Sequence, residues 1–125
     1  MVRRVLVVED DQFVGDLVTT TLRDQGWSVG LAATCADARA MVRKHPLDLL
    51  LLDIRLPDGD GWSLLRDLRE GSLHPRVPVI VVSSLPVTPG DLRRNGAHGY
   101  VPKPLSMPHL LATIRALWEH EDQQA

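Results

Sequence analysis

The chain has 125 residues, 44% hydrophobic and 24% charged, which fits one globular domain and leaves too little for a second with its own core. Fourteen Lys plus Arg against sixteen Asp plus Glu give a formal net charge of −2, without the basic excess that phosphate-backbone binding requires, so nucleic acid is not an expected direct partner. A single cysteine, Cys35, excludes an intramolecular disulfide, and no apolar run approaches the roughly 20 residues of a membrane span, so the chain is expected in the cytoplasm with no membrane partner.

In chain order, the apolar run at residues 5–8 reads as a first strand. Asp11 then caps a helix in which Phe13, Val14, Leu17, Val18, Thr21 and Leu22 describe one face, stopped by Gly26. Trp27, Val29 and Leu31 alternate with smaller or polar residues, as a half-exposed edge strand does. Thr34 caps a second helix reaching Lys44, ended by Pro46, with a narrow apolar face of Ala38, Met41 and Val42. Apart from Asp48, residues 47–52 are all leucine and run without alternation, the mark of a strand buried on both faces and therefore central.

Leu56-Pro57-Asp58-Gly59-Asp60-Gly61 is turn chemistry, after which Trp62, Leu65 and Leu68 stripe a third helix closed by Gly71. Residues 77–82 make a fourth strand. Pro86, Pro89, Gly90, Asn95 and Gly96 then leave room for about a turn and a half of helix at residues 91–94, so the fourth helix is expected to be short or absent. Gly99, Tyr100 and Val101 end a fifth strand, and Leu110, Leu111, Ile114, Leu117 and Trp118 stripe a last helix capped near Ser106. The alternation predicts an α/β domain over residues 1–125, (βα)₅ with a parallel sheet covered on both faces, an ordered core over residues 3–119 and a polar tail.

In such a sheet, ligands bind beyond the carboxyl ends of the strands. Glu9-Asp10-Asp11 follows the first strand, Asp53 the third, Ser83-Ser84 the fourth and Lys103-Pro104 the fifth. Adjacent carboxylates repel by about 4 kcal/mol per pair at about 4 Å and an effective dielectric of about 20, so they either take up protons or bind a cation. With no nitrogen or sulfur ligand among the strand ends, the preference is for Mg²⁺, which keeps waters and accepts a phosphate oxygen. Lys103 and the Ser83 hydroxyl would hold further phosphoryl oxygens, and Asp53 is the candidate nucleophile.

These residues resemble the receiver domain of two-component response regulators, a family that includes stand-alone chemotaxis regulators. The resemblance covers the whole chain and rests on Val5-Leu6-Val7-Val8-Glu9-Asp10, on the segment from Asp48 through Asp53-Ile54-Arg55-Leu56-Pro57-Asp58-Gly59, on Val79-Ile80-Val81-Val82-Ser83, on Gly96-Ala97 and on Tyr100-Val101-Pro102-Lys103-Pro104. It implies a doubly wound, flavodoxin-like sheet in the order 2-1-3-4-5. It implies that Asp53 takes a phosphoryl group from a histidine kinase or histidine phosphotransfer protein, that Asp10, Asp53 and the backbone carbonyl of Arg55 bind Mg²⁺ directly, and that Glu9 does so through a water. Ser83 and Lys103 would contact phosphoryl oxygens, and a switch of Ser83 and Tyr100 would alter the surface offered to a downstream protein. The Lys103-Pro104 bond is often cis in the family. Such a chain is a signalling domain rather than an enzyme, taking part only in its own phosphotransfer and autodephosphorylation.

The chain departs from the family pattern at Glu9, which replaces the commoner aspartate, and at Ser84, which stands where alanine or glycine is usual. The segment from Ser83 to Lys103 is about two residues short, which leaves open a phosphorylation-independent interaction module. A phosphohydrolase of the haloacid dehalogenase type would need a second aspartate where Arg55 stands. Arg55 reads equally as a rim controlling water and as a solvated arginine, and Tyr100 equally as a packed strand aromatic and as a switch. Asp11 serves as a helix cap. The five histidines show no ligand spacing, and Trp62 stands where a calcium loop needs an oxygen ligand.

Overall fold

The computed structural model describes residues 2–124. Five parallel strands, β1 (Arg4–Val8), β2 (Ser28–Ala32), β3 (Leu49–Asp53), β4 (Val79–Ser83) and β5 (Gly99–Pro102), form one sheet in the order β2-β1-β3-β4-β5. The helices are α1 (Gln12–Asp24), α2 (Cys35–Lys44), α3 (Gly61–Glu70), α4 (Pro89–Asn95) and α5 (Met107–Gln124). The doubly wound fold and the strand order agree with the expectation.

Strand alternation divides the core in two. On one face Leu6, Val8, Leu50, Leu52 and Val79 pack with Ala38 and Val42 of α2 and Leu64, Leu65 and Leu68 of α3. On the other, Val5, Val7, Leu49, Leu51, Ile80 and Val82 pack with Val18 and Leu22 of α1 and Leu110, Ile114 and Trp118 of α5. Each fully buried Leu or Val contributes about 1.5–3 kcal/mol relative to exposure, so the central strands anchor whatever stands at their ends.

β3 and β4 begin later than the apolar stretches read at residues 47–52 and 77–82. β4 starts at Val79 because Pro78 has no N–H for the ladder, although its carbonyl accepts from Leu50 N at 3.0 Å. β3 and β4 therefore end on polar residues, Asp53 and Ser83, both buried.

The expected apolar face of α1 needs correction. Phe13 is 79% exposed and Leu17 46%, whereas Gly15, Val18, Thr19 and Leu22 are buried. Gly15 lets the helix close on the Leu31 side chain, whose methyls would stand 3.1 and 3.2 Å from a Cβ at that position. The buried stripe is thereby centred on Gly15, and Phe13 and Leu17 turn outward.

The fourth helix is present and short, as expected, but spans Pro89–Asn95 and so starts before residue 91. Thr88 and Asp91 form a reciprocal capping box and Pro89 occupies the first turn, so the proline starts the helix instead of breaking it. α4 has no buried residue and is tied at its carboxyl end to α3, through Arg66 Nη1 donating to Asn95 Oδ1 (2.5 Å) and Arg69 Nη2 donating to the Gly96 carbonyl (2.9 Å). Arg69 also donates to the carbonyls of His74, Pro75 and Val77, which fixes the entry to β4. At the chain's end α5 continues through Gln124 where a polar tail was expected, with Arg3 Nη2 bonded to Asp122 at 3.1 Å. Arg3 also lies over the Trp118 ring, which packs edge-on against Trp27.

Candidate functional site

Asp53 ends β3 in the middle of the sheet, between β1 and β4, and is 5% exposed. Glu9, equally buried, directly follows β1 and continues its pairing through its N–H, which donates to the Ala32 carbonyl at 2.9 Å. Lys103 continues β5 in the same way, its N–H donating to the Ser83 carbonyl at 2.9 Å, and the Lys103-Pro104 bond is cis. Ordinary ladder bonding thus aims three charged side chains at one point above the carboxyl edge.

There Lys103 Nζ donates to Asp53 Oδ2 and contacts Glu9 Oε1, each at 2.9 Å. Asp53 Oδ1 accepts from Arg55 N and Glu9 Oε2 from Asp11 N, each at 3.2 Å. Asp10, exposed at the rim, offers a carboxylate oxygen within the same cluster, in which the ligand atoms of Glu9, Asp10 and Asp53 lie within 4.8 Å of one another. Among the described residues this is the one group of three acids, histidines or cysteines able to share a metal ion, and no histidine belongs to it.

Three carboxylates against one ammonium leave an excess of negative charge. Burial, reinforced by the hydrogen bond to Asp53, pushes the Glu9 carboxyl up to about 7 against the pull of Lys103. Burial works against the Lys103 ammonium, but its bonds to Asp53 and Glu9 prevail and hold its pKa above the ordinary lysine value. The donor set fits Mg²⁺: it is all oxygen, crowded and open at Asp10, and a hard dication would supply the positive charge that favours the ionised form of Glu9 against its burial.

In the metal-free protein, folding therefore takes up a proton at Glu9 as pH rises from 4.5 towards 7, because the native carboxyl holds its proton where the unfolded one has lost it. The stability contribution of this group is highest below 4.5 and is lost as pH climbs through about 7. Glu9→Gln is expected to remove that slope, checked by urea denaturation at both ends of the window with magnesium chelated.

Ser83 Oγ accepts from Leu85 N at 3.0 Å, which leaves the hydroxyl proton free to donate elsewhere. Tyr100 Oη donates to the Leu85 carbonyl at 3.2 Å and reaches the Ser83 carbonyl at 3.4 Å. Leu85 thus joins the two residues. The Arg55 side chain is exposed at the rim and Ser84 is exposed beside Ser83.

Two features escaped the sequence reading. Asp58, read as a local turn residue, accepts from Cys35 N (2.7 Å) and Ala36 N (3.1 Å), so it caps α2 from across the site loop alongside the expected Thr34 cap. The Cys35 amide bond, foremost, holds the Asp58 carboxyl below the usual range. Gly61, where α3 begins, donates its N–H to the Ile54 carbonyl at 2.7 Å and closes a small antiparallel hairpin of Arg55–Leu56 with Gly59–Asp60. Tight packing of that kind leaves no periodic trace. A cavity of about 460 Å³ lined by Lys44, His45, Asp48, His74 and Arg76 lies at the amino ends of β3 and β4, away from the carboxylates.

Comparison with known proteins gives concordant likenesses. Residues 5–115 match the family model for the response regulator receiver domain. The chain is 30% identical over 96% of its length to the DNA-binding dual master transcriptional regulator RpaA of Synechocystis, covering 51% of that protein. It is 32% identical over 91% of its length to the transcriptional regulatory protein CusR of Escherichia coli K12, covering 50% of it. It spans about half the length of such curated relatives. Among solved structures, the CheY-like receiver domain protein of Methanospirillum hungatei JF-1 superposes with a TM-score of 0.91 at 27% identity, over 100% of both chains.

Proposed function

The chain belongs to the response regulator receiver domain family, and on that premise we propose that it is the phosphoacceptor of a two-component phosphorelay, with Asp53 receiving the phosphoryl group from a histidine kinase or histidine phosphotransfer protein in the cytoplasm. The observation that carries this reading is the Lys103 ammonium bonded at 2.9 Å to both Asp53 and Glu9, with Asp10 in the same cluster. Retention of the complete set favours a phosphorylation-dependent role over a phosphate-independent module.

Asp10, Asp53 and the Arg55 carbonyl would hold Mg²⁺, with Glu9 acting through a water. When bound, the ion supplies positive charge that lets an anionic nucleophile approach an anionic donor. An Asp53 carboxylate oxygen attacks phosphorus, the O–P bond forms as the donor N–P bond breaks, and the electron pair leaves with the imidazole. Lys103 then moves from pairing the carboxylate to pairing a phosphoryl oxygen, and Ser83 donates its hydroxyl proton to another. Movement of Ser83 loosens the Leu85 amide it now accepts from, and through the Leu85 carbonyl it reaches Tyr100 and the surface seen by a downstream protein. Hydrolysis of the acyl phosphate by water returns the domain to its starting state.

Incubation with Mg²⁺ and acetyl phosphate, followed by intact mass, tests this reading. One added phosphoryl group is expected, and none under any donor refutes it.

A protein donor must bring its histidine within bonding distance of Asp53 and therefore covers the rim beside Asp10, where Phe13 and Leu17 stand exposed one turn apart on α1. Phe13→Glu is expected to slow transfer from a phosphorylated histidine protein at least tenfold and to leave uptake from acetyl phosphate unchanged, both read by intact mass against time.

A further inference from the structure

We infer that Gly61 is a positioning residue for the metal and phosphoryl site, an assignment that rests on the phosphoacceptor reading and extends it to the backbone that holds Asp53. Gly61 is buried and is the first residue of α3, and its backbone is not left-handed, since Gly26 and Gly96 are the glycines with positive φ. Conformational freedom is therefore not what the position requires. Space is: a Cβ there would stand 2.5 Å from the Asp53 carbonyl oxygen, 2.8 Å from Ile54 Cα and 3.2 Å from the Ile54 carbonyl oxygen. All three are backbone atoms and none can rotate away.

The residues that a methyl group would displace are those that set the site. Asp53 supplies the nucleophile, and its Oδ1 is oriented by Arg55 N. Arg55 opens the hairpin whose far strand, Gly59–Asp60, leads directly into Gly61, and the Gly61 N–H to Ile54 carbonyl bond closes the loop at its base. Adding one carbon at Gly61 must push α3 away from the end of β3 or tilt the Asp53–Arg55 backbone. Either movement shifts a carboxylate and a carbonyl that have to share one small ion with near-octahedral demands.

Gly30 supplies the control. A Cβ at Gly30 would also be crowded, 2.7 Å from Met41 Cε, but that contact lies in β2, far from the carboxylates, and the atom is the end of a flexible side chain.

The test is calorimetric titration of the whole chain with MgCl₂ alone, with urea denaturation to measure stability. Gly61→Ala is expected to weaken Mg²⁺ binding at least tenfold and to slow phosphoryl uptake from acetyl phosphate, whereas Gly30→Ala keeps wild-type Mg²⁺ affinity whatever its loss of stability. Wild-type affinity in folded Gly61→Ala overturns the assignment and leaves the phosphoacceptor reading standing. A wild-type chain that binds no Mg²⁺ overturns both. Should Gly61→Ala fail to fold in buffer, the titration is repeated in trimethylamine oxide, which favours burial, and failure to fold there assigns Gly61 to folding alone and overturns the positioning role.

Discussion

Asp53→Asn is expected to take up no phosphoryl group from acetyl phosphate or from a phosphorylated histidine protein, with intact mass unchanged where the wild type gains one group. The amide is a far weaker nucleophile than the carboxylate and lowers the local negative charge, so Mg²⁺ affinity should also fall, by about tenfold or more, which is the factor for about 1.4 kcal/mol. The fold is expected to survive: the substitution is nearly isosteric, Oδ1 can still accept from Arg55 N, and the hydrophobic cores on both sheet faces are untouched. Continued phosphorylation of this variant at another residue would refute the assignment of Asp53 as acceptor.

Removing Lys103 attacks the same site from the opposite sign. Among the described residues its ammonium is the one charge that touches both buried carboxylates, so Lys103→Ala removes the cation that pairs Glu9 and Asp53. Breaking a buried pair by deleting one partner costs about 3–5 kcal/mol. At neutral pH, unfolding free energy should therefore fall by about 3 kcal/mol, and uptake from acetyl phosphate by about 10²- to 10³-fold, the usual cost of losing one electrostatic stabiliser of the transferring group. The stability deficit should shrink as pH falls, because loss of Lys103 pushes the Glu9 carboxyl up further and lets it take up a proton. It should shrink too with added Mg²⁺, which replaces the missing positive charge. Phosphoryl uptake should recover in neither case, because a neutral Glu9 and a bound cation do not replace the amine at the phosphoryl oxygen. Urea denaturation with and without Mg²⁺, beside uptake rates, separates the two effects, and a deficit independent of both pH and Mg²⁺ would show that Lys103 acts through packing alone.

The fold was legible because the apolar pattern changes period with each element: Leu49 to Leu52 are uninterrupted as a central strand must be, while Leu110, Ile114 and Leu117 recur at helical spacing. Asp53 and Ser83 were legible as the polar residues that interrupt apolar runs, and the ladder that ends on them places them at the sheet edge. What sequence could not convey is contact made across the chain. Phe13 fits the α1 periodicity, yet its exposure is decided by Gly15 meeting Leu31. Asp58 sits in a turn motif and makes its strongest bonds to the amides of a helix more than twenty residues earlier. Arg69, which the sequence reading did not single out, binds the carbonyls of two separate connections. In each case the deciding partner is remote, and no local pattern encodes it.

The construction of α4 has an energetic consequence. Because none of its side chains is buried, unravelling it would hydrate little new hydrocarbon, and the work needed is set by its capping box and the two arginines gripping its far end. That is a low threshold beside the cost of disturbing β3 or β4. Amide protons of the first turn of α4 are therefore expected to exchange with solvent sooner than those of the helices that line the cores, as hydrogen exchange would read.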